Sequence, residues 1–587
     1  MDISTNRSQA PSEGVIAEPS EARVRALLLG LLMVAGPPLL LILYARTMFP
    51  GLTNSDALDF AQLGRNLASG HGFVTNILRP LAITSSANVQ HLPDVTHGPL
   101  YPLMLALAFG ALGAKDAVAA GVSSLFYLLT IPVVYRLGLR AFGRTVGIVA
   151  ALIFTVNALM LEYALSGLHA TLYIFLTTCL FLALYDLGSH WLRVGAEAPA
   201  PRGKLLKVGA LSALLYLTEP VFFWALPVVA AAVVYLSPRR KGLALLWFGV
   251  ALVVLAAPWM LRNAALTGNP IFGVKGKELW MYTSVYPLNQ GYRMSPQDLV
   301  PSLALFKSVI RKVLQGVGEV LMAFPQTSTV WVLAFFLPSL FFRFRDPVAN
   351  GLRRTIVGFF AALALGGTLF TIKMPLFVSL IPAILVFSVA YLLYLVGQAQ
   401  LNRGAVTATA LLVAFAVVYP LAQDTMLTDK TPPIREAEAA KALGRRAAAS
   451  DVVLSDQPWI VAWYANRPAL WLPVREDRLE QLRGKLPETR WVFLTQMAQS
   501  YSPNWAAVFG QLVGMNQRAV MARNSGQPIG GWRFDAASQA RPTPLARALN
   551  GLTWVPPDDP SQLPAGVASL PKLTSRVAAV SEQLAAQ

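Results

Sequence analysis

The chain is 587 residues long, 55% hydrophobic and only 13% charged, with a mean hydropathy of +0.51, which excludes an ordinary soluble protein and predicts a polytopic α-helical membrane protein in contact with the lipid bilayer. A net charge of +18 would suggest nucleic acid in a soluble chain, but here much of the Lys and Arg falls in short loops between apolar runs, the positive-inside pattern, so no nucleic-acid partner is expected. The single cysteine, Cys179, lies in an apolar run and excludes an intrachain disulfide or a cysteine metal site.

Taken in order, residues 1–24 are polar and read as a cytoplasmic tail. The apolar run after them carries Pro37 and Pro38 and lacks a convincing small-residue cleavage site, so it reads as a retained first span, about 25–46, and not as a signal peptide. Arg7, Arg23 and Arg25 place the N-terminus inside and the first loop, 47–98, outside. Two apolar stretches, 99–113 and 117–135, precede the next basic cluster, Arg136, Arg140 and Arg144. The charges require an odd number of crossings, so the first stretch, well under the ~20 residues of a span, is expected to dock on or dip into the outer face. Spans follow at about 145–163 and 170–187. The run 207–236 has basic flanks and is broken by Thr218, Glu219 and Pro220, which folds it into two short spans with an outward turn at Glu219, a long tilted helix being the alternative.

A span at about 242–260 opens a second large outer loop, 262–325, which includes an amphipathic basic stretch from Lys307 to Lys312. Four more spans, at about 327–342, 355–371, 376–396 and 404–422, complete eleven crossings in a transmembrane unit 25–422 and leave the C-terminus outside. Over 423–535 the pattern is that of a small soluble α/β domain on the outer face, with REAEAAKALGRRAAA as helix and SDVVLS and RWVFLT as buried strands. It has no Gly-rich phosphate fingerprint. Residues 536–587 are rich in Pro, Ala and Ser and are expected to include loosely held segments.

The first outer loop is too polar to cross a membrane, and it begins with NSDALDFAQLGRNLASGHGF. At 100° per residue Phe60, Leu63 and Leu67 form one apolar stripe, with Asp56 in its middle, Asp59 at its edge, and Gln62, Arg65 and Ser69 opposite. Capping by Asn54 or Ser55, with both acids complementing the helix dipole, explains an acid in the first turn. It does not explain an acid facing the docking side, so Asp56 and Asp59 are candidate catalytic groups. His97, Glu162, His169, Glu219, Arg262 and Lys373 gather at the same depth. Each can mark a span end, the preferred reading of Glu162 and Arg262 taken singly; together they describe a cavity of acids and bases without metal-ligand spacing such as HExxH. That composition suits a sugar linked to a lipid phosphate, because cations can hold the phosphate as leaving group while a carboxylate takes a proton from an acceptor hydroxyl.

The Asp at the start of a docked helix, then GRNLASGHGF and HGPLYPLMLAL, resembles the membrane glycosyltransferases of the GT-C fold, in the branch that includes protein O-mannosyltransferases and the aminoarabinose transferase of lipid A. SGLHATLY, LLYLTEP, APWMLRNAALTGNPIF and WYANRPALWLP extend the resemblance over about 25–500. It implies that Asp56 matches the catalytic acid position, that His97 matches a basic position near the lipid phosphate, and that the donor is a polyprenyl-phosphate sugar used on the outer side. Three departures stand out: His169 replaces a frequent acid, Glu219 a frequent Arg or Lys before Pro, and Met374 to Phe377 a frequent Arg-Tyr pair.

The resulting expectation is an inverting, metal-independent glycosyltransferase without cofactor. It would move one sugar from a polyprenyl-phosphate donor to an envelope acceptor (lipid, glycan or protein) at the outer face of the cytoplasmic membrane. Asp56 would be the base and Asp59 the second catalytic candidate, with His97, Arg262 and Lys373 holding phosphate. Glu162, His169, Glu219 and, although it points away from the stripe, Arg65 are further cavity candidates. Two other classes compete. A lipid-linked-sugar transporter or flippase would carry charges deep in several spans and inverted repeats, whereas these charges cluster on one side; a non-catalytic assembly partner would account for the departures.

Overall fold

The computed structural model describes residues 21–83, 91–195, 200–237, 239–287, 290–295, 298, 300, 302–327, 330–371, 374–426, 432–528, 530–535, 543–558 and 564–571. The tail 1–20, the end of the β-like run at 84–90, and Lys373 lie outside the described residues. Among the described residues, six helices are long and apolar enough to cross a membrane: Asp116–Phe142, Ala170–Val194, Lys241–Thr267, Pro347–Leu369, Met374–Gln398 and Arg403–Met426. A seventh candidate is the pair Arg144–Thr155 and Ala158–Leu165, bent by 58°. The bend falls within the span expected at 145–163, and its cause is local: Asn157 accepts from the Met160 N–H at 3.1 Å, the N-cap of a fresh helix inside an apolar run.

Leu100–Leu112 has 13 residues, about 20 Å at the α-helical rise and short of a bilayer core. It lies against helix Ser55–Ala68. Gly64 permits this contact, since a Cβ there would sit 2.6 Å from the Leu105 Cβ. The 207–236 region consists of helix Arg202–Thr218, a 3-10 segment Pro220–Ala225 and helix Leu226–Leu236, with the break at Glu219, where Pro220 ends the first helix. Gly98 packs directly on the backbone of Leu217 and Thr218, and any Cβ would overlap the Leu217 carbonyl. The HGP and LTEP sequences are thus two sides of one contact.

Beyond the helices lies a six-stranded sheet of β1 (Ile77–Leu78), β2 (Val452–Ser455), β3 (Ala469–Trp471), β4 (Thr489–Leu494), β5 (Thr553–Trp554) and β6 (Gly566–Ser569), in the order β1-β3-β2-β4-β6-β5. The first four strands pair in parallel, with Ile77 opposite Ala469 and Leu454 opposite Leu470, and β6 and β5 run antiparallel. All four residues of β2 are buried, as expected of a parallel strand covered on both faces. The sheet draws on more than the region 423–535: β1 comes from the first loop, and helix Pro544–Ala548 with β5 and β6 folds part of 536–587 onto it.

Candidate functional site

Helix Ser55–Ala68 is capped by Asn54, whose side chain accepts from the Asp56 N–H at 2.8 Å. The cap therefore comes from Asn54 and not from Asp56, which is half-buried and lines a cavity. One turn on, Asp59 is buried and paired with Arg79; its second oxygen accepts from the Gln62 amide at 3.0 Å, and His97 Nε2 lies 3.5 Å from the carboxylate. Asp94 builds the turn that presents His97. Its oxygens accept from the Thr96 and His97 N–H groups at 3.2 and 2.9 Å and from the Thr96 hydroxyl at 2.8 Å, and it lies 3.3 Å from His97 Nδ1.

Burial opposes the charged forms of His97, Arg79 and Asp94, but the opposite charges prevail. His97 titrates above its ordinary value because Asp59 and Asp94 flank it, and Arg79 is raised likewise. His97 and Arg79 hold Asp94 well below the usual carboxylate range.

A second cluster faces the first. Glu219, buried, is paired with Lys275, and His169 Nε2 lies 3.6 Å from its other oxygen. The two departures at 169 and 219 therefore meet in space, as a base and an acid. Glu278 accepts from the Tyr292 hydroxyl at 2.6 Å and from the Thr371 N–H at 3.0 Å. At the opening, the Tyr44 hydroxyl donates to Asp424 at 2.5 Å, and Glu162 lies on the same rim.

Asp56, Asp59, Arg79, His97, His169, Lys275 and Glu278 line one cavity of about 830 Å³, with Asp94 and Glu219 directly behind it. Of the residues singled out by sequence, Asp56, Asp59, His97, Glu162, His169 and Glu219 belong to it or to the clusters that wall it. Arg262 is placed elsewhere: its guanidinium donates to the Asp94 carbonyl at 2.9 Å and lies 4.5 Å from the centroid of the Trp259 ring, so it braces the turn behind His97. Arg65 is also outside the cavity and donates to the Trp463 and Ala462 carbonyls at 2.7 and 2.6 Å. On the face opposite the apolar stripe Gln62 is fully buried and Arg65 partly so. Lys373 lies outside the described residues, between Thr371 and Met374, which both line the cavity.

Arg79, Asp94, Lys275, Glu278 and Asp424 escaped the sequence reading, since none belongs to a periodic pattern. Arg79 before Pro80 and Asp94 in PDVTH carry only weak turn signals. Among the described residues, no group of three His, Cys, Asp or Glu side chains is arranged to hold a metal ion.

No family model matches the sequence, and no curated protein matches it. Solved structures do. The apo oligosaccharyltransferase of Archaeoglobus fulgidus aligns with a TM-score of 0.52 at 14% identity, over 80% of this chain and 68% of that one. ArnT from Cupriavidus metallidurans bound to undecaprenyl phosphate aligns with a TM-score of 0.51 at 14% identity, over 94% of this chain and 99% of that one. The archaeal AglB from Archaeoglobus fulgidus in complex with an inhibitory peptide and a dolichol-phosphate gives 0.50 at 14% identity, over 80% and 68%. At this identity the likeness is one of architecture: the chain has the GT-C fold.

Proposed function

We propose that the cavity is the active site of an inverting membrane glycosyltransferase, which moves one sugar from a polyprenyl-phosphate donor to an envelope acceptor at the outer face of the cytoplasmic membrane. The observation that carries this reading is Asp56 on the wall of a cavity that also holds Arg79, His97 and Lys275, in a GT-C fold. Two structures with that fold hold undecaprenyl phosphate and dolichol-phosphate respectively, and a donor of that class fits the same arrangement here.

In the proposed step Asp56 takes the proton of an acceptor hydroxyl as its oxygen attacks the anomeric carbon. The new C–O bond forms opposite the breaking one, and polyprenyl phosphate departs with the electron pair, its charge met by the cations of the cavity. Asp59 is unsuited to the base role because its oxygens are engaged by Arg79 and Gln62; it orients Arg79 and His97. Lys275, backed by Glu219, joins His97 as a phosphate-facing group, and Lys373 keeps that assignment from its place in the sequence. Arg262 positions His97 from behind.

The test compares two substitutions, with sugar transfer followed by mass spectrometry alongside the melting temperature. Asp56→Asn keeps size and leaves the Asn54 cap in place, so it is expected to cost at most ~1 kcal/mol of stability while slowing transfer by about 10²-fold or more and preserving donor binding. Asp59→Asn breaks a buried ion pair and is expected to destabilise by about 3–5 kcal/mol. Near-normal turnover of the Asp56→Asn variant would remove Asp56 from the mechanism.

The proposed reaction is metal-independent: Asp59 and Glu219 are already neutralised by Arg79 and Lys275, and Glu278 and Asp424 accept from the Tyr292 and Tyr44 hydroxyls. Turnover is expected to survive prolonged treatment with EDTA. Loss of activity that added Mn²⁺ or Mg²⁺ restores would refute this.

A further inference from the structure

The two clusters of charge supply the acids and bases of the cavity, and the proposed chemistry leaves its aromatic lining unused. From the chain that follows the last long helix, the cavity receives two lining side chains among the described residues, Trp459 and Trp471. Their rings meet at 84° with centroids 5.5 Å apart, so they form a right-angled corner.

The corner is fixed in place from behind. Trp471 ends β3 and is almost fully buried; its indole N–H donates to the Tyr501 hydroxyl at 3.1 Å, which donates in turn to the Asp456 carbonyl at 2.8 Å. Arg293 lies 3.6 Å from the centroid of the Tyr501 ring and donates to the Leu472 carbonyl at 2.7 Å. Trp459, only partly buried, completes the corner on the cavity side. Tyr282 also lines the cavity and holds a left-handed backbone, φ +56°. A bulky residue rarely adopts that conformation, which costs energy the surrounding structure has to supply and is a feature of ligand-holding sites.

Rigid aromatic faces without charge attract a ligand surface of weakly positive C–H groups, not an anion and not a bare peptide carbonyl. A sugar ring has such a face, with hydroxyls around its edge that can reach the acids of the cavity. The prenyl chain of a donor is a poor occupant, because it must enter from the bilayer along the helices, whereas both tryptophans come from the sheet region. We infer that Trp459 and Trp471 form an acceptor subsite for an uncharged sugar ring, so that the acceptor is a glycan or a glycan-bearing lipid. This inference rests on the proposed transferase reading and specifies its acceptor.

The experiment uses the full chain in nanodiscs with a polyprenyl-phosphate sugar and four uncharged disaccharides, of glucose, galactose, mannose and arabinose, as acceptor probes. Two reactions are followed by mass spectrometry: transfer to the disaccharide, and slow cleavage of the donor by water. The wild type is expected to extend at least one disaccharide. Trp459→Ala is expected to raise the KM for that disaccharide by about tenfold, the equivalent of one lost ring contact, with donor cleavage by water and polyprenyl-phosphate binding unchanged; Trp459→Phe, which keeps a ring, is expected to recover most of the loss. Equal loss of donor cleavage in Trp459→Ala would place the corner on the donor and overturn the inference, as would donor cleavage by the wild type with no disaccharide extended. Failure of the wild type to bind or cleave the donor at all would instead fell the transferase reading beneath it.

Discussion

A carboxylate buried beside a cation and one buried without a cation respond to pH in opposite directions, and this chain holds both. Asp94, between His97 and Arg79, stays charged far into acid, so its stabilisation is full above the ordinary aspartate value and drains away as pH falls from there through the low folded one. Asp456, at the end of β2, has Thr495 for company: the Thr495 N–H and hydroxyl donate to it at 3.1 and 2.7 Å. Burial still pushes it up to about 7. An unfolded aspartate titrates near ~3.9. Between these values the folded chain keeps a proton that the unfolded chain has released, so stability declines as pH rises through that window and levels off above it. Asp456→Asn, which retains an acceptor oxygen for Thr495, is expected to flatten the decline in melting temperature between about pH 5 and about pH 8, as read by calorimetry. His97 also loses its contribution as pH rises, through a folded value above its ordinary one, and the substitution leaves that part in place. A slope unchanged in the Asp456→Asn variant would assign the whole decline to His97 or another group.

Contacts between elements decide where these side chains meet, and Gly98 gives the sharpest test. It is the point where the first loop touches the end of helix Arg202–Thr218, just before the turn at Glu219. Gly98→Ala forces a methyl group against the Leu217 carbonyl, and the expected cost is about 1–3 kcal/mol, the range for overpacking a tight contact. A melting temperature equal to that of the wild type would show that the two segments separate freely. The same contact explains what the sequence made legible. Asp56 could be placed by period alone, because a helical stripe is set by residues within two turns, and the break at Glu219 was visible as an acid and a proline inside an apolar run. The bonds of Arg65 were not visible, since the segment around Trp463 that receives them lies about 400 residues along the chain; the burial of Gln62 was not visible either, because its partners Thr75 and Asn76 reach it only once the chain turns back after the helix. Arg79 and Asp94 were missed for a related reason: each takes its role from a partner brought in by the fold. The bend rests on a local signal, Asn157 as a cap within the apolar run, which run length alone does not reveal.

At the scale of the molecule, charge is divided between the two ends of the bundle. At one end the Arg140 guanidinium donates to Asp186 at 2.6 Å, Lys204 donates to the Asp186 carbonyl at 2.9 Å, and the Tyr185 hydroxyl donates to Asp346 at 2.7 Å, which gathers three basic loops together. The other end holds the cavity, its cluster of acids and the sheet. Helix Arg403–Met426 joins the two, with Arg403 at its start and Asp424 on the cavity rim. If Lys and Arg are retained in the cytoplasm, the expected orientation has the basic loops inside and the cavity outside, the side on which a lipid-linked donor would be consumed under the proposed function. This is tested with single cysteines in a Cys179→Ser background. Ser500→Cys, exposed beyond β4, is expected to react with a membrane-impermeant maleimide in cells whose outer barrier alone is opened. Leu401→Cys, exposed in the turn before Arg403, is expected to react only after the inner membrane is breached. The reverse pattern would put the cavity in the cytoplasm, where the same acids and cations would face soluble sugar donors, and the polyprenyl-phosphate reading would have to be abandoned along with the orientation.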